Sequence, residues 1–84
     1  MRFNYNESNE YVVDCEILDG MRIAKLIDRL RISVRGTSHS SDSDRVQFTV
    51  RCGFSNICEL ISVFAKESFN EPYLEFKEKR LVIN

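Results

Sequence analysis

His39 lies among Ser38, Ser40, Ser41, Asp42 and Asp44, so residues 36–44 contain hydroxyl nucleophiles, a base and orienting carboxylates. Triad chemistry needs such groups held by separate rigid elements beside an oxyanion hole, and one small polar stretch supplies neither. The segment reads instead as a mobile, solvated loop in which His39→Ala changes nothing. Asp42 and Asp44 offer two oxygen ligands, but a calcium or magnesium site needs more, arranged around a turn glycine. Cys52 and Cys58 are separated by five residues with no histidine near them, which does not fit tetrahedral zinc. Together with Cys15 they read as small core hydrophobes, and only Cys58, close to a helix start, has a thiol that the helix dipole would activate. Gly20, Gly36 and Gly53 form no phosphate-cradling loop. The sequence therefore predicts no catalytic residue, no metal site and no cofactor; an enzyme is the last reading.

The elements around these residues follow from hydrophobic periodicity. Phe3 and Tyr5, and then Tyr11, Val13, Cys15 and Ile17, alternate with polar residues, as strands do. Asp19-Gly20 between two apolar runs carries the signature of a type I′ turn, which opposes Leu18 to Met21 and Cys15 to Ala24. In that register Val13, Cys15, Ala24 and Leu26 face a core. Val12, Leu18, Met21, Ile23 and Ile27 gather on the other face, with Asp14 opposite Lys25. A competing reading makes residues 20–31 a helix capped by Asp19, with Ile23, Leu26, Ile27 and Leu30 on one stripe. The alternation that persists through Ile32 and Val34 favours the strand, with Asp28 marking a bulge.

Val46, Phe48, Val50 and Cys52 alternate strictly with Arg45, Gln47, Thr49 and Arg51, a strand facing the core. Gly53 stops it, Ser55 or Asn56 caps a helix over residues 55–69, and Ile57, Leu60, Ile61 and Phe64 form its apolar stripe. Asn70 and Pro72 end that helix. Residues 73–76 and 81–83 form a closing strand pair. The expected fold is α+β: a curved antiparallel meander of about five to six short strands, paired in chain order at first, with the helix on its concave face.

Eighty-four residues make one domain, 1–84. Apolar content of 43% and charged content of 30% are those of a globular chain, and a formal charge of −1 argues against binding nucleic acid or acidic membrane through overall charge. An odd cysteine number argues against a disulfide scaffold and for a reducing, cytoplasmic compartment. No apolar run approaches the ~20 residues of a membrane span, and no signal peptide is visible at the start.

Charge is polarised along the chain. Residues 1–20 hold five acids and one base, and residues 21–35 hold five bases and one acid. On the strand reading Lys25, Arg29, Arg31 and Arg35 share a face with Arg45 and Arg51. That face lacks the aromatics on which single-stranded RNA bases stack, which ranks an RNA- or DNA-binding module second. Ranked first is a small cytosolic inhibitor that covers a partner protein, like an immunity protein or antitoxin against a bacterial toxin, or a phage anti-defence protein. A homodimeric interaction protein ranks third. The expected binding residues are Asp14, Glu16, Met21, Ile23, Ile27, Arg29, Arg31 and Arg35, apolar at the centre and charged at the rim.

Overall fold

The computed structural model describes residues 8–39, 41–68 and 73–84. The readings made for Phe3, Tyr5, Asn70 and Pro72 lie outside the described residues. The chain runs β1 (Asn9–Glu16), α1 (Ile17–Arg29), β2 (Ser33–His39), β3 (Arg45–Cys52), α2 (Phe54–Glu67), β4 (Leu74–Lys77) and β5 (Arg80–Ile83). The class is α+β, with five strands in one mostly antiparallel sheet ordered β2-β3-β1-β5-β4.

Three expectations are corrected. Asp19-Gly20 is not a turn: both residues lie inside α1, and residues 20–31 form no strand. Nor do the strands pair in chain order. β3 pairs antiparallel with both β1 and β2, so β1-α1-β2 is a β-α-β unit split by an inserted strand. β5 then pairs with β1 in parallel, and β4 folds back on β5. Finally, residues 36–39 are not loop, since they complete the edge strand β2.

α1 forms because the period of 3.6 collects Gly20, Ile23, Leu26 and Ile27 on its buried side. Glu16 is its N-cap, Asp19 complements the positive end of the helix dipole in the first turn, and Arg29 complements the negative end in the last. The helix ends in a Schellman motif. Ile32 N–H donates to the Ile27 carbonyl and Arg31 N–H to the Asp28 carbonyl, with Arg31 left-handed at φ 58°. α2 starts at Phe54, one residue before the earlier of the two expected caps. Asn56 sits at its third position, where its Oδ1 accepts the Gly53 N–H at 3.3 Å.

Both helices cover the same face of the sheet. Tyr11, Val13 and Cys15 of β1, Phe48, Val50 and Cys52 of β3, and Leu81 and Ile83 of β5 meet Ile23, Leu26 and Ile27 of α1 and Ile57, Leu60 and Phe64 of α2 in one contiguous core. Burying each large side chain contributes about 1.5 to 3 kcal/mol, most of it offset by chain entropy.

A candidate interaction groove between α1 and the edge strand

Gly20 decides how α1 sits. A Cβ at that position would lie 3.2 Å from Cγ1 of Val46, tighter than an ordinary contact, so only glycine lets the helix approach β3 this closely without displacing a side chain. Seated there, α1 leaves the helix side of the outermost strand uncovered. Thr37 and His39, opposite Phe48 and Val46, then form one wall of a groove. Ile17, Gly20, Met21 and Ala24 of α1 form the other, with Val46 and Phe48 at its floor, enclosing about 360 Å³. The lining is almost wholly apolar and open to solvent. Leu18 at 91% and Met21 at 74% exposure crown the helix side, which is unusual for large apolar residues lying together. An adjoining hollow lined by Glu16, Ile17, Leu18 and Asp44 continues the surface round the corner of the sheet. β2, exposed at every residue, carries an irregularity between Val34 and Gly36.

The opposite sheet face is polar. At its centre Asp14, largely shielded, receives Arg45 Nε at 2.8 Å and Arg80 at 3.1 Å. Arg45 also donates to Asn84 Oδ1 and to the carbonyls of Asp14 and Ile83. These arginines are therefore committed to holding β1, β3 and β5 together.

The eight expected binding residues do not form one face. Met21 lies on the groove, and Glu16 caps α1 beside it. Ile23 and Ile27, at 0% and 1% exposure, are core residues, because a helix turns inward the side chains that a strand would have turned outward. Asp14 belongs to the network on the other side of the sheet. Arg29 pairs with Glu67 at 2.8 Å and ties α1 to α2. Arg31 occupies the left-handed cap after α1, and Arg35 sits at the irregularity in β2. The basic sheet face of the strand reading is thereby broken up, since Lys25 and Arg29 are on a helix and Arg31 is in its cap, which leaves Arg35, Arg45 and Arg51 of the six on the sheet. Ala24, expected in the core, is exposed at the groove. Sequence reasoning also missed Thr37, His39 and Phe48 as groove residues. The helical reading held the clue, because Ile17, Gly20, Met21 and Ala24 follow a spacing of three and four beside the core stripe.

Among the described residues, no group of three His, Cys, Asp or Glu is placed to hold a metal ion. Burial, with Asp19 nearby, pushes the Cys15 thiol up to about 11; burial alone does the same for Cys52. Both are held as thiols, whereas Cys58 is exposed. No helix among the described residues is long and apolar enough to cross a membrane. No family model matches the chain, and neither a curated protein nor a solved structure is found to match it.

Proposed function

We propose that this chain is a protein-binding module whose working surface is the groove between α1 and β2. The observation that carries the reading is the exposed apolar set of Ile17, Leu18 and Met21 beside a groove floored by Val46 and Phe48. Water is a poor neighbour for such a surface, and a partner's apolar side chain is a good one. An inhibitor that works by covering its partner, like an immunity protein, antitoxin or anti-defence protein, is the form of such a module that needs only one small domain and one surface. The free thiols accord with a reducing, cytoplasmic site of action. A nucleic-acid reading draws less support, since Arg45 and Arg80 are engaged by Asp14 in the middle of the open sheet face.

A photo-crosslinking residue at position 18, introduced in cells that express the protein, tests this. The captured protein should bind the purified chain one to one, with little salt dependence. Met21→Asp should weaken that binding about 30-fold or more, the cost of a charge in a desolvated centre. Unchanged affinity of the folded Met21→Asp variant refutes the groove. Steep loss of binding with salt, with nucleic acid recovered in place of protein, favours the other reading.

A further inference from the structure

The two ends of the groove carry opposite charge. Ile17 N–H donates to the Asp44 carbonyl at 2.7 Å, and His39 pairs with Val46. The start of α1, the end of β2 and the start of β3 therefore meet at one end, where Glu16, Asp19, Asp42 and Asp44 are clustered. α1 connects two parallel strands, so it runs opposite to β2 and finishes at the other end. Arg31 and Arg35 are exposed there and outnumber the exposed Asp28, while Arg29 is already paired with Glu67. The surface is thus acidic, apolar and basic in turn.

A two-fold axis through the apolar middle sets the acidic end of one copy against the basic end of the other, twice. Isologous association requires this self-complementarity. We infer that a second copy of this chain covers the groove in the resting protein, with Leu18 and Met21 of each copy packed against the α1 and β2 walls of the other. The inference rests on the groove being a protein-binding surface, and a foreign partner would compete with the second copy for it. The association is face to face rather than by strand addition, because the irregularity at Arg35 blunts the β2 edge against open-ended pairing. α1 is about 20 Å long. Such a face lies at the lower end of the roughly 1,200 to 2,000 Å² buried in specific interfaces, so the dimer is expected to dissociate in the micromolar range.

Sedimentation of the purified chain between about 1 µM and about 1 mM tests the inference, across the range that such an interface implies. The native chain should pass from monomer to dimer, and Met21→Asp should remain monomeric. The acidic-for-basic variant R31E/R35E and the basic-for-acidic variant E16K/D42K/D44K, altered only at exposed positions, should each be monomeric through repulsion at both junctions. Mixed together they should form a one-to-one heterodimer, because both junctions are then attractive. A native chain that stays monomeric throughout overturns the second copy, and so does a dimer that survives in Met21→Asp or in either charge variant. Failure of the mixture to associate overturns the end-to-end arrangement. A monomeric native chain whose crosslinked partner still depends on Met21 would leave the groove standing as a binding surface without the self-association.

Discussion

Replacing Gly20 by Ala separates the helix from the turn that Asp19-Gly20 resembles. Gly20 is the fourth residue of α1, and no glycine among the described residues has positive φ. Alanine in a helix interior is favoured over glycine by about 0.8 to 1 kcal/mol. Against this stands the 3.2 Å approach of the new Cβ to Val46 Cγ1. Val46 is half-buried and faces the open groove, so it can yield by a few tenths of an ångström. The cost should be about 0.5 kcal/mol, below the 1 to 3 kcal/mol of over-packing a closed interior. The net expectation is a stabilisation of about 0.5 kcal/mol, a rise of roughly 2 to 4 °C in melting temperature for a domain of this size. In a Val46→Ala background the crowding is gone, so the same substitution should recover the full amount of about 1 kcal/mol, a coupling measurable in a double-mutant cycle by urea titration. A type I′ turn would respond differently, because alanine at positive φ is strained. A loss above about 1 kcal/mol that persists in the Val46→Ala background would therefore refute both the helix and the groove that it lines.

Other perturbations address single features. Arg31→Gly should stabilise the chain by about 0.5 to 1 kcal/mol by relieving a left-handed non-glycine residue, and a destabilisation in thermal melts would contradict the Schellman geometry. Asp14→Asn should cost about 1 to 2 kcal/mol in urea unfolding, between an exposed ion pair and a buried one, whereas Arg80→Ala at the more exposed partner should cost less than about 0.5; equal losses would show that the network is not centred on Arg45. Cys15 and Cys52 titrate near 11 in the folded chain against 9.0 unfolded, so above pH 9 the unfolded chain gives up these protons first. Their contribution is flat below pH 9 and is lost between about pH 9 and 11, by at most about 2.7 kcal/mol per thiol. Unfolding of a Cys15→Ala, Cys52→Ala variant should show a shallower fall over that window, and an identical slope would refute the assignment.

Where local pattern and tertiary position agree, the sequence is legible. β3 alternates strictly and forms the expected strand, and Ile57, Leu60 and Phe64 mark α2 by their period alone. The closing strand pair also stands as read. Residues 17–32 fail because the apolar spacing there satisfies both periods, and the deciding term is remote: the stripe of Ile23, Leu26 and Ile27 closes on a core supplied by β1, β3, β5 and α2. The chain does contain a two-residue turn with both central residues at positive φ, but it lies at Glu78 and Lys79, neither a usual turn former. There β5 is held in register by pairing with β1 rather than by turn chemistry. The part of β2 beyond Arg35 was unreadable for a related reason. It buries no side chain and is a strand through its backbone bonds to β3. The groove inherited both failures, since one wall is α1 and the other β2, and only Leu18, Met21 and the corner residue Glu16 were anticipated there.

The parallel pairing of β1 with β5 also bears on how the protein is made. Val12 pairs with Arg80, and Leu81 and Ile83 are core residues, so the central strand lacks one of its two neighbours until synthesis has passed residue 83. Until then a nascent chain holding both helices and three strands would display β1 as a bare edge, open to pairing with another nascent copy. Chains are made at roughly 5 to 20 residues per second, so the stretch from Cys52 to Ile83 leaves that edge open for seconds, long compared with the microseconds a hairpin needs to form. Slowing elongation across this stretch should raise the yield of aggregate without altering the stability of the finished protein.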